Sequence, residues 1–155
     1  MIESLSMNDM YPLITEVIES GGVFRLWPRG TSMMPLLRQG EDSVSLALPE
    51  NVEIGDVVLY RRKNGQFVLH RIITKTDNGY TMCGDNQYIF EKEIAHSQLI
   101  AKVVGIYRGE QYFDVANVQY LKYVKRLPFR RVKIRAKSLC YRVRDKILPD
   151  RKNNA

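Results

Sequence analysis

The chain has 155 residues, 45% apolar and 26% charged, a balance that suits one globular domain with a real core and leaves little room for a second. No run approaches the ~18 uninterrupted apolar residues of a membrane span. The acidic N-terminus, with Glu3 and Asp9, lacks the basic region of a secretory signal, so the expected location is cytoplasmic. The net charge of +7 is unevenly placed: residues 1–118 hold 11 Lys and Arg against 15 Asp and Glu, and residues 119–155 hold 13 against 2. Any partner attracted by positive charge is therefore a partner of the C-terminal segment.

From Asp9 to Ser20 the apolar residues Tyr11, Leu13, Ile14, Val17 and Ile18 follow helical spacing. Pro12 is expected in the first turn, and Gly21-Gly22 supplies a stop. Residues 23–28 read as a strand. Val44, Leu46 and Leu48 alternate with Ser43, Ser45 and Ala47, the pattern of a half-buried strand. The β-branched run after Ile54-Gly55-Asp56, the turn Lys63-Asn64-Gly65 and the segment Phe67 to Thr74 form a predicted hairpin. Asp77-Asn78-Gly79 turns the chain into another strand, Tyr80 to Cys83. Leu99–Tyr107 and Gln111–Asp114 read as a further strand pair, while Glu93 to Gln98 reads as an exposed connection.

Past Asp114 the pattern becomes helical. Val118, Leu121 and Val124 predict a helix that Pro128 is expected to interrupt. Val132, Ala136, Leu139, Cys140, Val143 and Ile147 recur at helical spacing beyond it, with the cations mostly on other faces. The tail from Lys152 to Ala155 is expected to fray. The fold class expected is mainly β: a coiled antiparallel sheet or partial barrel, with an N-terminal amphipathic helix in residues 1–22, a β domain in 23–114 and a basic helical extension in 115–155. Cys83 and Cys140 lie in regions of different character without metal-ligand spacing and read as free thiols; neither a metal nor a cofactor is expected.

Ser32 sits between a flexible Gly and a Pro in Gly30-Thr31-Ser32-Met33-Met34-Pro35. A serine hydroxyl is a poor nucleophile unless a base takes its proton, and there are two histidines to consider. His96 lies in the polar connection. His70 lies in a strand whose alternation sets Val68, His70 and Ile72 on one face, which favours it as the base. Each feature alone also has a structural explanation: Ser32 as a turn or capping residue, His70 as a satisfied strand residue, Gly84-Asp85-Asn86 as an ordinary turn.

Taken in order, Gly30 to Pro35, Gly40-Glu41-Asp42, Ile54-Gly55-Asp56-Val57-Val58, His70-Arg71-Ile72 and Gly84-Asp85-Asn86 resemble the five boxes of the signal peptidase I family and of its relatives among the SOS- and phage-repressor-type self-cleaving peptidases. The resemblance covers roughly residues 23–107. In the common bacterial form a lysine precedes the arginine of the fourth box; His70 stands there, as in the Ser/His branch of endoplasmic-reticulum and spore-former enzymes. An imidazole is already near the pKa a base needs, whereas a lysine must be desolvated.

The resemblance implies a serine endopeptidase with Ser32 as nucleophile and His70 as general base. Glu91 matches the position of the ring-orienting acid, where the family more often has Asp, and Asp85 is the second candidate. It assigns the oxyanion hole to the Ser32 backbone N–H, assisted in many relatives by a hydroxyl two residues earlier. That place holds Gly30, so Thr31 or backbone donors alone must serve. Thr31, Met33, Met34 and Pro35 match the substrate-facing lining. Relatives that process exported proteins carry a transmembrane helix just before the serine box; here that place holds the short helix, so a housekeeping export peptidase is not expected.

The expected partner is a peptide or protein substrate. For the basic C-terminal helix the order of preference is an anionic membrane surface, an acidic protein, then nucleic acid, beside the plain alternative of a solvated helix packed on the domain. Two other functions compete: a non-catalytic peptide-binding module of the same fold, and a self-cleaving regulator. The latter is disfavoured because about 22 residues precede the first strand, too few for helix-turn-helix recognition.

Overall fold

The computed structural model describes residues 6–147. Helix α1 spans Met7–Glu19 and is opened by a capping box in which the Ser6 side chain accepts from the Asp9 N–H while the Asp9 carboxylate accepts from the Ser6 N–H. This start is two residues earlier than the spacing predicts, and Pro12 consequently falls in the second turn. Ile14 and Ile18, four apart, are fully buried and dock the helix on the main core.

The sheet comprises β1 (Phe24–Leu26), β2 (Asp42–Ala47), β3 (Val57–Arg61), β4 (Phe67–Thr76), β5 (Gly79–Cys83), β6 (Glu91–Ile94), β7 (Leu99–Arg108) and β8 (Gln111–Asp114). All its pairings are antiparallel, in the order β1-β2-β7-β3-β4-β5-β6 with β8 on β7, so the expected mainly β architecture is present as an open sheet. The period-2 alternation of β3 and β4 divides the interior. Val57, Leu59 and Leu69 enter the cluster beneath α1, and Val58, Tyr60 and Ile72 enter a second cluster on the other face.

Three expectations need correction. The β2 strand is buried on both faces, because Arg25 roofs its polar side: its Nε donates to Ser43 Oγ at 2.8 Å, and its guanidinium stacks over Trp27 and Tyr107. The stretch read as an exposed connection starts later than expected, because Glu91–Ile94 pairs with β5 as β6 and is followed by a 3₁₀ turn at His96–Gln98. Finally, helix α2 runs unbroken from Val118 to Ile147 through Pro128. Proline leaves the Val124 carbonyl without its helical donor, and the contacts of Tyr120, Tyr123, Leu127 and Arg130 with the domain, on both sides of Pro128, hold the helix across that point. The tail 152–155, expected to fray, lies outside the described residues.

Candidate active site

Four of the five boxes converge, and a single side chain joins three of them. Arg71 on β4 is fully buried; its Nε and Nη2 bond the two carboxylate oxygens of Asp85 at 2.8 and 2.6 Å, and its Nη1 donates to the Gly55 carbonyl and to Tyr120 Oη on α2. A guanidinium forked onto a carboxylate in this way satisfies both charges where water cannot reach. Asp85 also accepts from Tyr123 Oη at 3.1 Å. Thus Asp85 anchors the fifth box to the sheet and to α2.

The first box meets the fifth through its main chain. The Asn86 N–H donates to the Ser32 carbonyl at 2.8 Å, and Asn86 Nδ2 donates to the Thr31 carbonyl at 3.3 Å. Gly84 makes the approach possible, since a Cβ there would lie 2.7 Å from the Ser32 oxygen. The β4–β5 register pairs Arg71 with Cys83, the last residue of β5, and Gly84 follows it directly. The Ser32 carbonyl thus lies against the main chain just past the end of β5.

His70 is buried, and its Nδ1 lies 3.4 Å from Glu91 Oε1 and 3.3 Å from Tyr60 Oη. A proton on Nδ1 faces the carboxylate and leaves the lone pair on Nε2. Arg62 clamps Glu91 through two bonds, one of them Nε to Oε2 at 2.7 Å, and its guanidinium holds the Glu91 carboxyl below the usual carboxylate range. Burial pushes the His70 pKa down, opposed by Glu91, so the neutral ring is favoured. Burial and Glu91 push the Tyr60 hydroxyl up, which keeps it protonated.

Nε2 of His70 makes no hydrogen bond among the described residues, and neither do the Ser32 hydroxyl and backbone N–H. The hydrogen bond expected between Ser32 Oγ and His70 is not formed. A serine hydroxyl, a backbone N–H and a ring nitrogen not spent on other hydrogen bonds are the parts that acyl transfer requires, and such contacts commonly tighten only around a bound substrate.

The remaining candidates divide. Met33 is buried in the main core, whereas Met34 and Pro35 are exposed, as is Thr31. Gly30 takes φ +94°, with its N–H held by Gln39 Oε1 at 2.7 Å. The second box stands apart from the others: Asp42 is buried between Arg38 and Arg108. Lys75 is committed to Glu53 and the Val52 carbonyl, and His96 to Tyr80. Both cysteines are free thiols, Cys83 buried and Cys140 exposed.

Sequence reasoning missed Tyr60 and Arg62, which border His70 and Glu91. Strand parity could have found Tyr60, because it lies two residues from Val58, the partner of His70. It also missed the whole contribution of α2. Beside Tyr120 and Tyr123, Arg130 Nη2 donates to Asn86 Oδ1 at 3.1 Å, and Arg131 approaches Asp85 at 3.7 Å. A groove of about 940 Å³ runs from Asn86 along this helix, lined by Arg126, Arg130, Lys133, Lys137 and Arg142 with no carboxylate. No helix among the described residues is long and apolar enough to cross a membrane. No family model, curated protein or solved structure matches the chain.

Proposed function

We propose that the protein is a serine endopeptidase of the signal-peptidase type that cleaves a peptide or leader sequence, with Ser32 as nucleophile, His70 as general base and Glu91 as the residue orienting the ring. The observation that carries this is the division of His70: Nδ1 lies 3.4 Å from Glu91 Oε1 and 3.3 Å from Tyr60 Oη, whereas Nε2 makes no hydrogen bond among the described residues. In the first half-reaction Ser32 Oγ bonds to the scissile carbonyl carbon while its proton passes to Nε2. In this reading the Ser32 N–H meets the developing oxyanion. Collapse breaks the C–N bond and the amine leaves with the proton from His70. Water then repeats these steps on the ester, releasing the acid product and restoring Ser32. Asp85 takes no part in proton transfer; its role is to hold the fifth box.

A second reading, a peptide-binding module that uses the same site without chemistry, is favoured by one observation, the missing Ser32–His70 hydrogen bond. Labelling with a fluorophosphonate-type serine probe separates the two. The peptidase reading expects labelling of the parent and none of Ser32→Ala, together with peptide hydrolysis by the parent alone. Equal labelling of parent and Ser32→Ala, or a parent that binds peptides without cleaving them, supports the binding module instead.

A further inference from the structure

Helix α2 presents an apolar stripe that the domain does not use. Val118, Leu121, Phe129, Val132, Leu139 and Val143 are separated by 3, 8, 3, 7 and 4 residues, which places all six on one side of a 3.6-residue helix, and each is exposed, from 47% at Leu121 to 74% at Phe129. The helix docks on the domain through the opposite side, by Tyr120, Tyr123, Leu127 and Arg130. An apolar surface turned outward over about 38 Å of helix, interrupted by Lys125 between Leu121 and Phe129, is not the surface of a solvated helix.

Its borders are cationic. Between Val118 and Arg144 the chain has ten Lys and Arg and no Asp or Glu. Lys122, Lys133 and Arg135 flank the stripe and Lys125 sits within it, all four exposed, and side chains of this length can lie along apolar surface while their charges reach outward.

We propose that this stripe is a docking surface for an anionic lipid bilayer, on which α2 lies in the plane of the headgroups. Six apolar side chains enter the headgroup boundary while the flanking cations meet lipid phosphates, and the helix does not cross the membrane. Charge argues against a second copy of the chain, since pairing two such helices would set eleven cations against eleven with Asp145 as the one carboxylate of each. An acidic protein would satisfy the cations, but a bilayer matches both the charge and the length of the apolar stripe, whose single internal cation, Lys125, can reach the headgroups. Because the other side of α2 bonds Asp85 and Asn86, docking would hold the Ser32 box about one helix diameter, ~10–12 Å, from the lipid surface. The docking surface stands independently of whether the Ser32 site is catalytic.

The test is co-sedimentation of the full-length protein with vesicles of phosphatidylcholine alone and of phosphatidylcholine mixed with phosphatidylglycerol, compared with the double variant Val132→Ser/Leu139→Ser. Both positions are exposed, so the variant should keep the parental thermal midpoint. The parent is expected to pellet only with the anionic vesicles, and the variant to bind about tenfold more weakly or worse although its charge is unchanged. A parent that stays in the supernatant overturns the proposal. So does a folded double variant that pellets with parental affinity, because charge alone would then explain the binding. A concentration-dependent dimer in sedimentation velocity that the double variant abolishes would assign the stripe to a second copy instead.

Discussion

His70 and Arg71 are consecutive on β4, and strand geometry sends them to opposite faces, where each meets a carboxylate. The two pairs are built differently. Arg71 and Asp85 are both fully buried and form a forked ion pair at 2.6–2.8 Å, with Gly55 and Tyr120 taking further bonds from the arginine and Tyr123 bonding the aspartate. His70 meets Glu91 at 3.4 Å, Glu91 is itself partly exposed and shared with Arg62, and one ring nitrogen is left over. Full satisfaction makes the first pair rigid and chemically inert. Incomplete satisfaction leaves the second able to accept a proton near neutral pH.

That contrast can be broken from either side, and the largest effect is expected on catalysis. His70→Ala should lower the turnover of a peptide substrate by about 10²- to 10⁴-fold while the far-ultraviolet spectrum and thermal midpoint stay near the parent's. The double variant Ser32→Ala/His70→Ala should be scarcely worse than either single change, since the two act as one unit. Near-parental hydrolysis by His70→Ala would remove the dyad.

On the other face the effect should be on stability. Asp85→Ala leaves Arg71 buried without its partner and should cost about 3–5 kcal/mol in urea unfolding. Replacing both residues by apolar ones should recover much of that loss, because the uncompensated charge disappears with its partner. If Asp85→Ala unfolds at the parental denaturant midpoint and is inactive, the roles of the two carboxylates must be exchanged.

Glu91→Gln sharpens the distinction. Turnover should fall by about tenfold or more through loss of ring orientation, with little change in stability. The carboxylate raises the pKa of His70, so its removal should also move the acidic limb of the pH–rate profile to lower pH. A purely structural Glu91 would leave that limb in place.

The smallest effect concerns pH and folding. Burial lowers the pKa of His70 in the folded state, so below the ordinary histidine value of ~6.5 the unfolded chain takes up a proton that the folded chain resists. The stability this contributes is complete above that value and is lost as pH falls through it towards the folded pKa. Lowering of the Glu91 pKa acts in the same sense at more acidic pH. Urea titrations of the parent and His70→Gln across this range should show a steeper loss in the parent, and parallel curves would contradict it.

The two helices explain why some of this was legible and some was not. In α1 the period of Ile14 and Ile18 predicts the buried face, and the structure buries it. In α2 the same kind of periodicity picks out Val118, Leu121, Val132, Leu139 and Val143, and the structure turns that stripe outward. Docking uses Leu127 together with hydroxyls and guanidinia, because the buried carboxylate of Asp85 and the carbonyls and amides around it need polar partners. Periodicity identifies a face; it does not say what covers it. Pro128 misled for a related reason, since contacts on both sides of it hold the helix together through a residue that would break an isolated one.

The order of the boxes, the strand alternation and the charge asymmetry are properties of the chain alone, so the antiparallel β domain, the basic helix and the candidates Ser32, His70, Glu91 and Asp85 could be named without coordinates. Register and long-range packing decided the rest, because they bring together groups with no regular spacing in sequence. Glu91 reaches His70 across 21 residues and Asn86 reaches Ser32 across 54. Tyr123 reaches Asp85 across 38, and the placement of α2 over the fifth box follows from bonds of this kind that no local pattern encodes.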